Sequence, residues 1–291
     1  MKIGAMLDSF RLGFREGVEK AASLGVEGLQ IYATGGEICP ETMTDAKVRE
    51  ALDIIHSHGM VVSALCADFG LGFADPEKNP ELIEKSKRIL DLSNKMECGI
   101  ATTHIGHVPD EECETKEIMR KACRELALYA DSVGAAFAVE TGPEIGRVLG
   151  EFLDSLGAGG VRVNFDPANL VMCVDERPQE ALKYLGKYVV HTHAKDGIML
   201  KNHVGVKKDG NLIVSEEAKH HEALMKMGHT YLEVPLGQGD VDFDTYLPAL
   251  AATGYNGFLT IEREVGDNPA ADIELAVNFL KEKIKKYGLD K

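Results

Sequence analysis

Four short apolar runs in this chain lead into residues of the types that can bind metal ions. "AFAVE" ends on Glu140, and "VRVNF" is followed at once by Asp166. "VVHTH" carries His191 and His193, and "FLTIERE" carries Glu262 and Glu264. Side chains alternate along a strand, so His191 and His193 point the same way and parity does not choose between them. His193 lies further along its run and is the preferred ligand. Glu262 and Glu264 share the parity of Thr260, and Glu262, nearer the run, is preferred. Two glutamates, one aspartate and one imidazole make an oxygen-rich set. It suits one divalent ion, Mn²⁺ first, with Mg²⁺, Co²⁺ or Zn²⁺ as alternatives, better than it suits structural zinc, which favours sulfur and nitrogen. A single acid at a strand end can serve only to cap the next helix. Four such groups after four successive apolar runs favour a metal site over carboxylates paired without one.

The elements that position these residues repeat along the chain. The end of a helical stretch, a glycine and an apolar strand recur at Gly25, Gly59, Gly99, Gly134, Gly157, Gly186 and Gly254. Glycine just past a helix end takes the left-handed backbone conformation at little steric cost. With the N-terminal "KIGAML", seven junctions give eight strands. Intervening stretches have helical spacing, as at Ile118, Ala122 and Leu126, or Ile273, Val277, Leu280 and Ile284. Eight β/α units without a domain-sized break predict an α/β fold, a closed (β/α)₈ barrel, as one domain over residues 1–291. The alternative, an open doubly wound sheet, usually carries a glycine-rich phosphate turn after its first strand, and "MLDSFRLGF" is not one. In a barrel the catalytic face lies at the carboxyl ends of the strands, where the four candidate ligands fall.

The last interval is too long for one unit and predicts an insertion after strand 7, at about 197–235. It is locally basic, with Lys201, His203, Lys207, Lys208, Lys219, His220, His221, Lys226 and His229. It reads as a solvated excursion or as a lid that touches an anionic group of the substrate. Glu233, near its end, is expected to face the site, whereas Gly237 and Gly239 serve a turn rather than a phosphate. The formal net charge of −15 argues against a nucleic-acid partner. No apolar run has the length of a membrane helix, and "MKIGAMLDSF" is too short and polar for a signal peptide, so a cytoplasmic location is expected. Six cysteines, none in a Cys-x-x-Cys pair, read as reduced structural thiols.

"AVETGP", "NFDPANL", "HTHAKDG", "LGQGDVDF" and "GYNGFLTIERE" together resemble the sugar isomerase/epimerase superfamily of xylose-isomerase-like TIM barrels, over nearly the whole chain. The resemblance implies one catalytic divalent metal on Glu140, Asp166, His193 and Glu262, with Glu140 and Glu262 also serving as acid and base. It places His104, in "ATTHIGH", at a substrate-facing position. Asn169 stands three residues after the aspartate, where ketose 3-epimerases carry a substrate-contacting histidine, and Lys195 belongs to "HAKD", closer to inosose and sugar-phosphate relatives. Both departures count against ketose 3-epimerase specificity. The implied partner is a small sugar or sugar phosphate, and homo-oligomers are common among relatives.

Two chemistries follow. In the first, a carboxylate removes the proton beside a carbonyl, and its return through an enediolate gives epimerisation or aldose–ketose isomerisation. In the second, a β-hydroxyl leaves a cyclic polyol ketone, with Lys195 or His104 as the acid. A barrel that only binds sugar is a third, non-catalytic reading.

Overall fold

The computed structural model describes residues 1–208, 211–213 and 215–290, without the side chains of 206–208 and 211–213. Eight parallel strands close on themselves: β1 (Lys2–Met6), β2 (Gly28–Tyr32), β3 (Val61–Cys66), β4 (Ile100–Thr103), β5 (Ala136–Glu140), β6 (Val161–Phe165), β7 (Val189–Ala194) and β12 (Phe258–Ile261). Closure is through β1 against β12, with Gly4 beside Thr260 and Ala5 beside Ile261. Helices α1 (Phe14–Leu24), α2 (Asp45–Ser57), α3 (Asn79–Lys95), α4 (Glu114–Val133), α5 (Gly146–Ser155), α7 (Pro178–Leu185), α9 (Phe243–Ala252) and α10 (Pro269–Tyr287) connect them. The (β/α)₈ barrel expected from the glycine-punctuated pattern is the fold, in a single domain. Ile273, Val277, Leu280 and Ile284 of α10 are all buried against it. No helix among the described residues is long and apolar enough to cross a membrane.

The glycine junctions hold at six of seven places. Gly25, Gly59, Gly99, Gly134, Gly157 and Gly254 have positive φ. Gly186 does not: its φ is −53°. A Cβ there would lie 2.7 Å from Thr253 Cγ2, so close packing rather than a left-handed turn requires the glycine. Strand β4 is also shorter than expected. It stops at Thr103, leaving His104 just past its end.

Between β7 and β12 the chain makes its long excursion. β8 (Asp196–Met199) pairs antiparallel with β11 (Tyr231–Val234), and the short strands β9 (Val206–Lys208) and β10 (Asn211–Ile213) pair with each other. Helix α8 (Glu216–Lys226) starts from a Ser215 cap whose hydroxyl accepts from Ala218 N. Among the expected basic residues of this segment, Lys207, Lys208 and their neighbour Asp209 lie outside the described side chains. Lys201 pairs with Asp175, Lys219 with Glu216 and His203 with Asp240. All six cysteines are free.

Candidate metal centre

At the carboxyl end of the barrel the structure brings Glu140, Asp166, His193 and Glu262 together. One ligand atom from each lies within 4.8 Å of all the others, and all four residues are buried. Each arrives by a local rule. Glu140 is the last residue of β5, and Glu262 follows β12 directly. Asp166 follows β6 and caps the short helix α6 (Pro167–Asn169), where proline at the first position needs no N–H partner. Its Oδ1 accepts from Ala168 N at 2.7 Å and Asn169 N at 3.0 Å, which leaves Oδ2 for the site.

His193 Nδ1 stands 3.3 Å from Glu262, 3.4 Å from Glu140 and 3.5 Å from Asp166. His191 is a different kind of residue. Its Nδ1 donates to Asn164 Oδ1 at 2.9 Å, and Thr260 Oγ1 donates to its Nε2 at 3.0 Å. Both nitrogens are used, and burial with the neighbouring His193 charge pushes its pKa well below the ordinary range, so the ring is neutral. Thr260 thus faces the barrel interior, as parity required. Glu264 instead reaches back from the rim to Lys195 at 2.5 Å.

The donor set fits a divalent cation. His193 Nε2 faces Gln30 Oε1 at 2.9 Å, and an amide oxygen only accepts. Asn164 Nδ2 is also 3.2 Å from Nε2, but it donates to Glu140 Oε2 at 3.1 Å, and the Gln30 oxygen is nearer. The hydrogen is therefore assigned to Nε2 and the neutral ring's lone pair to Nδ1, aimed at three carboxylates. Nδ1 and Asp166 Oδ2 are buried without a hydrogen-bond partner. Two orphaned acceptors facing each other at 3.5 Å, at 1% and 0% exposure, are costly unless a cation lies between them. Without one, a proton takes its place. Burial opposes charge on His193, but Glu262 and Glu140 outweigh it and raise its pKa well above the ordinary value.

The second layer was missed from sequence. Gln30 on β2 also donates to Thr102 Oγ1 at 2.9 Å, and Asn164 Nδ2 donates to Glu140 Oε2 at 3.1 Å. A glutamine inside the apolar "GLQIY" and an asparagine inside "VRVNF" were the available signals. Asn169, expected to contact substrate, donates to Glu140 Oε1 at 3.0 Å and lines the cleft.

The cleft above these residues has a volume of about 360 Å³. Lys195 enters it with its Nζ 2.9 Å from Glu262. Burial opposes its charge, yet Glu262, Asp166 and Glu264 hold the ammonium well above its usual range. Burial opposes ionisation of Glu262 too, and His193 and Lys195 override it, so its pKa falls well below normal. On the other wall His104 Nδ1 is 2.7 Å from Asp68 Oδ2, and its Nε2 is 3.5 Å from Glu140. The Glu140 charge, against burial and aided by Asp68, lifts the His104 pKa to about 9. Sequence reading overlooked Asp68. Glu233, expected to face the site, does not line the cleft: its Oε1 accepts from Arg263 Nη1 at 2.6 Å and Glu264 N at 3.2 Å, and its Oε2 is 3.9 Å from Lys195.

With this geometry, the chain belongs to the family of xylose isomerase-like TIM barrels, whose model matches residues 18–283. A xylose isomerase domain protein from Planctomyces limnophilus is similar in structure, with a TM-score of 0.77, 25% identity, and 98% of this chain and 97% of that chain covered. A probable 3-DHS dehydratase of petrobactin synthesis from Bacillus anthracis superposes with a TM-score of 0.73 at 18% identity, covering 97% and 99%. A D-psicose 3-epimerase from Clostridium cellulolyticum H10, solved with D-tagatose, gives a TM-score of 0.71 at 16% identity, covering 98% and 99%. No curated protein matches by sequence. The fold is therefore shared by epimerases and a dehydratase, and the chain has the buried ligand cluster that can hold a metal ion.

Proposed function

We propose that this protein is a divalent-metal-dependent sugar isomerase or epimerase that works by proton transfer through an enediolate. The observation that carries the reading is the pair of orphaned buried acceptors, His193 Nδ1 and Asp166 Oδ2, set between Glu140 and Glu262. An ion bound there, with Mn²⁺ the first candidate, supplies Lewis acidity to a carbonyl oxygen, which acidifies the adjacent C–H. Glu140 and Glu262 approach His193 from two strands and are assigned as the carboxylates that take and return the proton. Asn169 orients Glu140, and Lys195 keeps Glu262 ionised. His104 donates to substrate oxygens from the opposite wall, and the excursion at 197–235 acts as a lid that brings Tyr231 to the cleft.

A second reading is dehydration of a cyclic polyol ketone. It rests on the buried Lys195 ammonium in the cleft, which in this reading is the proton donor to a leaving hydroxyl. Incubating the Mn²⁺-loaded protein in D₂O with ketoses, sugar phosphates and inososes, followed by proton NMR, separates the two. Deuterium beside a carbonyl with a new sugar supports isomerisation or epimerisation. Loss of a hydroxyl moves the assignment to the dehydratase. Equal turnover by the Glu140→Gln variant would defeat both.

A further inference from the structure

We propose that the cleft selects an uncharged polyhydroxy carbonyl compound and excludes phosphorylated or carboxylated ones, an inference that rests on the sugar reading above. The argument starts from what cations the cleft offers. Among its described lining residues, Lys195 and His104 are the cations, against the carboxylates of Asp68, Glu140, Glu262 and Glu264. Both are already engaged. Lys195 lies between Glu262 and Glu264, and His104 lies between Asp68 and Glu140. Asp68 and Glu264 therefore balance both, even with His104 counted as charged. A divalent ion leaves one negative charge uncompensated on its own ligands Glu140, Asp166 and Glu262. An anion entering this cleft meets a field of its own sign, inside a chain of net charge −15.

Two arginines near Glu264 are also committed. Arg11 donates to the carbonyls of Glu264 and Gly266, and Arg263 to Glu233 and Asp272. The backbone repeats the point. Converging N–H groups in a turn make an anion cradle, and "LGQGDV" is such a turn. Its Gly237, Gly239 and Val241 N–H groups, with that of Gly197, all donate to Asp196 at 2.9–3.1 Å. The chain's own carboxylate fills the place a phosphate would take. What the cleft does offer suits a neutral sugar: Tyr32 and Tyr231 for C–H faces, and carboxylates and amides for hydroxyls.

The test is calorimetry on the Mg²⁺-saturated protein with matched pairs: D-fructose and D-fructose 6-phosphate, D-ribulose and D-ribulose 5-phosphate, and D-xylulose and D-xylulose 5-phosphate. The expected result is that at least one neutral member binds, at least tenfold more tightly than its phosphate. A phosphate that binds as tightly as its partner, or more so, overturns the inference and leaves the sugar reading standing. Binding by no member of any pair, with the metal bound, defeats the sugar reading and this inference with it. In a second arm, Glu264→Gln removes the carboxylate charge that balances Lys195 while keeping an acceptor oxygen for it. The phosphate should then gain several-fold on its neutral partner. An unchanged ratio would refute the claim that the engaged Lys195 sets the exclusion.

Discussion

Replacing Gln30 by leucine tests how the metal centre is held without touching a ligand. Gln30 is fully buried, and its amide oxygen is the acceptor that keeps the hydrogen on His193 Nε2 and the lone pair on Nδ1. Leucine is similar in bulk and lacks that acceptor. The ring then loses its tautomer lock, and the second amide bond, to Thr102 Oγ1, goes with it; Thr102 keeps a 3.4 Å bond to the Leu65 carbonyl. Losing such an outer partner of a metal-binding histidine typically weakens affinity by about 10–100-fold, or about 1.4–2.7 kcal/mol. Folding should suffer as well, by about 1–3 kcal/mol, because the bonds to His193 and Thr102 are both lost and the buried His193 Nε2–H is left without the Gln30 acceptor. The assay is Mn²⁺ titration by electron paramagnetic resonance beside a denaturant melt of each protein. A folded Gln30→Leu protein with wild-type Mn²⁺ affinity would refute the tautomer argument.

Two further predictions concern pH. The carboxylates around His193 raise its pKa, so the metal-free ring is protonated at neutral pH and metal must displace that proton. Mn²⁺ affinity should rise with pH by up to about tenfold per unit, with about one proton released on binding; calorimetry in buffers of different ionisation enthalpy measures it, and pH-independent affinity would contradict it. Burial lifts the Glu144 carboxyl to about 7, against a hydrogen bond from Val108 N and the His104 charge. The folded state then holds its proton longer than the unfolded chain, whose glutamate titrates near about 4.3. Stability from this group is full below that pH and is lost as pH rises to about 7. Glu144→Gln should thus be more stable than wild type at pH 8 by about 2–4 kcal/mol and not at pH 4.5, by urea melts; equal gains at both pH values would refute the assignment.

The barrel was legible because each unit is locally encoded. Alternation in "AFAVE" and a glycine at positive φ, such as Gly134, act within a few residues. Gly186 misled because the same residue type served a long-range need, its packing on Thr253. The four clustered residues were legible because their strands are neighbours in the barrel, and strand ends share one face. Their support was not. Gln30 meets His193 across 163 residues, and Asp68 meets His104 across 36, pairings that no local pattern signals. The antiparallel pairing of β8 with β11, which brings Tyr231 to the cleft and Glu233 to Arg263, was equally hidden within a polar excursion.

The central claim is that Glu140, Asp166, His193 and Glu262 hold one divalent ion. Asp166→Asn tests it with little risk to the fold, because asparagine caps a helix as well as aspartate and keeps an oxygen for Ala168 N and Asn169 N. The measurement is the stoichiometry and affinity of Mn²⁺ for both proteins by electron paramagnetic resonance. The account predicts one tight site per chain in the wild type, weakened at least 100-fold in the variant, or about 2.7 kcal/mol. A wild type without a tight site, or a variant that keeps it unchanged, would contradict the account.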